Sequence, residues 1–189
     1  MRVVVAMTGA TGMLYGVRLL ERLRGAGVET DLILSRAAVL TLHAETDIKL
    51  QAVQALATRV HSVRDIAAEI ASGSCSFDAM VVVPCSAKSL AMIAHGYAEN
   101  LIGRAADVTL KEHRKLILVF RETPLSRIHL QNLLAVHDAG ATIVPPVPSF
   151  YHRPATIDEI VEDTVGRLLD LLGVVHGGRR WEGIAPGTG

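Results

Sequence analysis

Val3-Val4-Val5-Ala6-Met7-Thr8-Gly9-Ala10-Thr11-Gly12 decides how this chain is read. A β-branched run ends in a glycine-rich turn, and the turn opens an apolar-periodic segment from Leu14 to Leu23. Strand, turn and helix in that order are what a phosphate site needs. Glycines let the backbone approach an anion, and the helix behind them offers unpaired N–H groups and the positive end of its dipole. A glycine after a first strand also serves packing alone, so the reading rests on Thr8, Gly9, Thr11 and Gly12 coming together.

Outward from this stretch, strands and helices alternate. Strands are expected at 29–34, 79–83, 116–120 and 141–144, and helices at 37–42, 86–95 and 101–113. Residues 48–72 carry helical patterning with a break near Val60-His61. Thr123-Pro124 predicts a helix start, a capping threonine with proline at the first helical position, running to about Ala139. Thr156 and Glu159 form a T-x-x-E capping box that opens a helix reaching Gly173. Near-continuously apolar strands separated by helices imply an α/β fold, a parallel sheet with helices on both faces. One domain is expected over 1–175, followed by a Gly-rich tail over 176–189 that is loose except at Trp181.

In such a sheet ligands bind beyond the carboxyl ends of the strands. The residues expected there are Thr8 to Gly12, Ser35-Arg36, Cys85 to Ser89, Arg121-Glu122 and Ser149 to His152. Ser86 reads equally as a helix cap and as a ligand contact, and the hydroxyls and lysine of Ser86-Ala87-Lys88-Ser89 favour the contact. Cys85 reads as a small buried residue rather than a nucleophile. Arg104 and Lys111 lie seven apart on the helical face of Leu101 and Val108, so they either pair with Asp107 or Glu112 or converge on an anion. Arg167 borders the apolar stripe of Ile157, Ile160, Val161, Thr164, Leu168 and Leu171, where it either snorkels to solvent or meets an anion. Tyr151 follows the stiff segment Pro145-Pro146-Val147-Pro148.

Bulk properties narrow the function classes. The formal net charge of the 189 residues is zero, which gives no footprint for nucleic acid. Half the residues are apolar but only 4% are aromatic, and the mean hydropathy of +0.34 points to buried subunit interfaces or to an Ala-rich core. No apolar run approaches the roughly 18 residues of a membrane span. A first strand starting at residue 2 leaves no room for a leader, and two cysteines give no disulfide framework, so a cytoplasmic chain is expected. The histidines show no ligand spacing, and no structural metal is expected.

Several blocks together resemble the UbiX flavin prenyltransferases. They are Thr8-Gly9-Ala10-Thr11-Gly12 with Tyr15-Gly16, Glu45-Thr46-Asp47, Pro84-Cys85-Ser86, Arg104-Ala105-Ala106-Asp107-Val108 with Leu110-Lys111-Glu112, Arg121-Glu122-Thr123-Pro124-Leu125, and Pro145-Pro146-Val147-Pro148 with Phe150-Tyr151-His152-Arg153-Pro154. The resemblance runs unbroken from residue 2 to 173. It implies a flavodoxin-like Rossmann fold and a homododecamer. It implies transfer of a dimethylallyl group from dimethylallyl phosphate to N5 and C6 of reduced FMN. The product, prenylated FMN, would serve a UbiD-type decarboxylase as partner. Carried over by position, Gly9, Ala10, Thr11, Ser35, Ser86, Ala87, Lys88, Ser89 and Arg121 would hold FMN. Arg104, Lys111, Tyr151 and Arg167 would hold the prenyl phosphate, and Thr11, Glu45, Lys111 and Glu122 would act at the reacting atoms. The family usually has serine where this chain has Thr11, and some members carry a tryptophan-bearing segment where this chain has only Ser72-Gly73-Ser74.

Other readings stay open on the residues alone. T-G-A-T-G-x-x-x-G also resembles NADP-dependent reductases, with Arg36 placed to meet a 2′-phosphate. Those enzymes use Tyr-x-x-x-Lys, whereas Leu19, Leu101 and Ala155 stand four after Tyr15, Tyr97 and Tyr151. An FMN-binding accessory subunit of an aromatic acid decarboxylase and an FMN-dependent cysteine decarboxylase of related fold are the remaining alternatives.

Overall fold

The structure, a computed structural model, describes residues 1–180 and 183. Six parallel strands make one sheet in the order β3-β2-β1-β4-β5-β6. They are β1 (Arg2–Met7), β2 (Glu29–Leu34), β3 (Arg59–Ser62), β4 (Ala79–Cys85), β5 (Lys115–Phe120) and β6 (Thr142–Ile143). The helices are α1 (Met13–Gly25), α2 (Arg36–Glu45), α3 (Leu50–Gln54), α4 (Ala87–Ala94), α5 (Leu101–Lys111), α6 (Arg127–Asp138) and α7 (Ile157–Leu172). This is the α/β, flavodoxin-like doubly wound arrangement expected from the alternation. Without the short edge strand β3, the order reduces to the flavodoxin pattern.

Each strand side chain alternates between two faces, so the sheet separates two cores. Val3, Val5 and Met7 of β1 pack with Leu20 and Leu23 of α1 and with Val165 and Leu168 of α7. Val4 and Ala6 meet Leu90 of α4, and Leu101, Ala105 and Val108 of α5, on the other side. Burial on both faces explains why β1, β4 and β5 read as continuous apolar runs. Outside the cores, Arg18 and Arg22 of α1 hold Glu162 of α7, with Arg22 Nη2 at 2.6 Å.

Three sequence expectations need correction. The segment 48–72 is not a broken helix: it holds α3, the edge strand β3 and a single 3-10 turn at Glu69–Ala71. Its strand pairs Asp31 with Arg59 through Leu34 with Ser62, and its side chains alternate between half-buried and exposed. The pairing is specified by β2, through reciprocal bonds of Thr30 and Thr58, so local periodicity does not reveal it. The helix expected from Thr123-Pro124 begins later. Ser126 Oγ accepts from His129 N at 3.2 Å while Ser126 N donates to His129 Nδ1 at 3.3 Å, and this reciprocal cap sets the start at Arg127. The described part of the tail is not loose: His176 Nε2 lies 3.1 Å from Asp170 Oδ1, and Arg180 Nη2 donates to the same oxygen at 2.7 Å. Trp181 lies outside the described residues.

A buried charge, Asp31, pins the amino end of the sheet. Its side chain is fully buried, receives Arg2 Nε at 2.7 Å and Arg2 Nη2 at 3.0 Å, and has His61 Nε2 at 2.8 Å. Burial pushes this carboxyl up, but the hydrogen bonds from Arg2 and His61 outweigh it and hold it below the usual carboxylate range. A depressed folded-state value stabilises the fold at neutral pH and loses that contribution as pH falls through it. Asp31→Ala removes the buried carboxylate that holds Arg2 and His61 and leaves Arg2 half-buried with Glu69 as its remaining ion-pair partner. It is expected to cost about 1.5–3 kcal/mol in urea denaturation at pH 7, the value of a charge-assisted hydrogen bond. The variant should also lose stability less steeply on acidification than the parent chain.

Candidate functional site

β1 lies between β2 and β4 at the centre of the sheet, and the chain leaves β1 and β4 toward opposite faces. The loops at their carboxyl ends therefore diverge and open a crevice, the place where doubly wound sheets bind ligands. Thr8, 1% exposed, closes its floor. Its Oγ1 donates to Pro84 O at 2.8 Å and accepts from Ser86 N at 2.8 Å, while Thr8 N donates to Pro84 O at 3.2 Å.

Above this floor is a cavity of about 950 Å³, within the about 300–1,000 Å³ usual for small-molecule sites. Gly9, Ala10 and Thr11 line it after β1, Ser35 after β2, Ser86, Ala87, Lys88 and Ser89 after β4, and Arg121 and Glu122 after β5. Two helices aim their amino ends at it. Ser35 Oγ caps α2 by accepting from Ala38 N at 3.0 Å, and Ser86 Oγ caps α4 by accepting from Ser89 N at 3.3 Å. The first N–H groups of both helices, at Arg36, Ala37, Ala87 and Lys88, have no acceptor within their own helix and are suited to an anion. Leu40, Ile66, Met92 and Ile102 add an apolar wall. The sequence gives no sign of that wall, because each residue reads as an ordinary member of a helical or loop apolar pattern.

The amino end of α1, the first anion site expected from the sequence, is already taken. Glu45, the last residue of α2, reaches back and accepts from Gly12 N at 3.0 Å and Met13 N at 2.9 Å. A carboxylate there satisfies the orphan donors and the helix dipole at once. The glycine-rich turn thus contributes a wall rather than a phosphate cradle at α1. Gly9 is a glycine because a Cβ would overlap Ala37 Cβ where the turn passes α2. A dinucleotide pyrophosphate would need the place Glu45 fills, so the reductase reading has neither a seat nor its Tyr-x-x-x-Lys pair.

Around the rim, Arg121 N donates to Cys85 O at 3.2 Å, and the Glu122 carboxylate accepts from Thr123 N at 3.0 Å. Burial pushes the Tyr15 phenol up against the opposing pull of Thr164 and Arg121. Burial also pushes the Cys85 thiol up to about 12, which leaves it protonated and unreactive at neutral pH, as the sequence reading has it.

The remaining expected site residues stand apart from this cavity within the chain. Arg104 Nε donates to Ala71 O at 2.9 Å and its Nη1 meets Asp107 Oδ2 at 2.7 Å. Lys111 pairs with Glu112, whose carboxyl that hydrogen bond holds below its usual range. Carboxylate partners, one of the two accounts open for these cations, are therefore present. Tyr151 and Arg167 border a separate cavity of about 430 Å³ with Ser149, His152 and Arg180. Arg167 makes no ion pair among the described residues, and none of their His, Cys, Asp and Glu side chains cluster as a metal site would require.

Known proteins share this geometry. The Flavoprotein family profile matches residues 1–169. The mitochondrial flavin prenyltransferase of Saccharomyces cerevisiae is 54% identical over 185 residues, 97% of this chain and 76% of that protein. A crystal structure of AnUbiX in complex with FMN and dimethylallyl pyrophosphate has a TM-score of 0.96 and 51% identity, over 97% of this chain and 98% of that one. The chain belongs to the UbiX-type flavin prenyltransferase family. A dodecameric FMN-dependent UbiX-like decarboxylase from Escherichia coli has a TM-score of 0.95 and 52% identity, over 97% of this chain and all of that one. The likeness spans every element from β1 to α7, so the crevice between β1 and β4 is the family's common frame.

Thr8 was legible in the sequence only as part of the turn, not as the bond between β1 and β4. Thr8→Val keeps the shape but leaves Ser86 N without its acceptor, while Pro84 O keeps only the backbone bond from Thr8 N. Each buried polar group left unmade costs about 1–3 kcal/mol, and a loss in that range is expected in chemical denaturation.

Proposed function

We propose that this chain joins the dimethylallyl group of a prenyl phosphate to N5 and C6 of reduced FMN, and that the prenylated FMN goes to a UbiD-type decarboxylase. One observation carries the reading: the crevice between β1 and β4 gathers two capped helix amino ends, Arg121 and an apolar wall around a single cavity of about 950 Å³. A flavin mononucleotide has an anionic end and a large flat apolar end, and the donor set suits both. Gly9, Ala10, Thr11, Ser35, Ser86, Ala87, Lys88, Ser89 and Arg121 would hold it. Reduced FMN supplies the nucleophilic atoms of the reaction.

The chain's own residues then have three tasks. Cations must stabilise the departing phosphate as the allylic C–O bond breaks, which Arg104, Lys111 and Arg167 would do without a metal, with Tyr151 closing over the donor. The apolar wall of Leu40, Ile66, Met92 and Ile102 would exclude water from the electron-poor allyl fragment. Glu45 and Glu122 would accept protons at the flavin edge, with Thr11 beside them. Arg104 and Lys111 stand outside the cavity of their own chain, so in this reading they complete the cavity of a neighbouring copy. A homododecamer is proposed for that reason. Exposed Ile128, Leu130 and Leu134 on α6 support burial between copies. No helix of the described residues is long and apolar enough to cross a membrane, and a cytoplasmic location is proposed.

Anaerobic incubation with reduced FMN and either dimethylallyl monophosphate or pyrophosphate tests the reaction. A flavin heavier by one five-carbon prenyl unit, with altered absorption, is expected. Recovery of unchanged FMN with both donors overturns the proposal. Lys111→Ala should bind FMN normally and lose transfer by about 10- to 100-fold, the value of one charge-assisted contact. Full turnover with a lower melting temperature would instead make Lys111 a surface ion-pair residue.

A further inference from the structure

The turn Ser72-Gly73-Ser74 connects the Glu69–Ala71 turn to the approach to β4, and it lies under the side chains that α5 sends outward. A Cβ built on Gly73 would come 2.7 Å from Lys111 Nζ and 2.9 Å from Glu112 Cδ. The Lys111 ammonium and the Glu112 carboxylate thus rest on bare backbone that no other residue type leaves open. The turn itself is pinned. Arg114 Nη2 donates to Gly73 O at 2.8 Å, its guanidinium lies 4.4 Å over the Phe77 ring, and Arg104 Nε binds Ala71 O at 2.9 Å. Inside the turn, Ser72 Oγ and Ser74 Oγ are 2.8 Å apart, and Cys75 N donates to Ser72 O at 3.2 Å.

We propose that Gly73 is a positioning residue for prenyl transfer: held by Arg114, its side-chain-free backbone seats the Lys111–Glu112 pair and fixes how far the Lys111 ammonium projects. The inference rests on the reading that Lys111 holds the prenyl phosphate. A lysine stem is flexible, and an ammonium seated at one place meets a phosphate with less ordering to be done on binding. Ala71 O, two residues before Gly73, holds Arg104 Nε, so the short segment 71–73 touches both cations of α5.

Gly73→Ala is the test, because the added methyl meets only the far ends of flexible side chains and leaves the fold intact. Calorimetric titration of FMN-loaded protein with dimethylallyl monophosphate should show about tenfold weaker binding, the lower value for one charge-assisted contact. KM for the donor should rise with it, while kcat, FMN affinity and melting temperature stay near those of the parent. Gly73→Ser should follow the same direction, and Arg114→Lys, which keeps the charge but loses the Nη2 bond to Gly73 O and the guanidinium plane over Phe77, should reproduce part of the effect. Parent-like donor binding in Gly73→Ala, alongside weakened binding in Lys111→Ala, overturns the seat and leaves the clamp standing. Parent-like binding in both variants removes the clamp itself. A fall in melting temperature with unchanged donor affinity shows a purely structural glycine and also overturns the proposal.

Discussion

The hydroxyl of Thr8 joins the two strands whose separation makes the site. β1 and β4 must be neighbours for the sheet to close, yet their loops must diverge for a crevice to exist. A single buried side chain reconciles the two, donating to Pro84 O and accepting from Ser86 N. The cap of α4, the direction of its N–H groups and the floor of the cavity all follow from where Ser86 is held. A threonine does this better than a backbone turn, because it bonds on both sides without adding a residue to either loop.

Much of this was legible from residue order. The apolar runs of β1, β4 and β5 announce strands buried on both faces, and the caps at Ser86 and Thr156 mark helix starts that the structure keeps. What was hidden depended on distant partners. β3 is a strand because β2 offers it Thr30 and Asp31, not because Arg59–Ser62 has a strand-like composition. The helix cap at Ser126 was masked by the Thr123-Pro124 signal just before it, and a histidine standing in for the usual Glu or Gln of a capping box concealed the real one. The cavity's polar half was readable as hydroxyls and glycines at strand ends, whereas its apolar half looks like any core residue until the sheet is assembled.

The glycine-rich turn shows how a local motif can be right about place and wrong about role. Its residues do face the ligand crevice, but the helix behind them is neutralised by Glu45 from thirty-odd residues away. Anion-binding capacity is thereby shifted from α1 to α2, on the same face of the sheet, and to α4, on the other. No reading of residues 3–12 alone could find this, because the decisive group lies at the end of another helix.

Arg2 and Asp31 hold the amino end of the sheet, while the crevice opens at its carboxyl end. β1 has six residues, which at about 3.3 Å each separates the two ends by about 20 Å. Handles added at the amino terminus would therefore leave the molecule on the side facing away from the cavity. Surface attachment or fusion through that end would keep the crevice open to small molecules, and an anchored copy would present its ligand-binding edge outward.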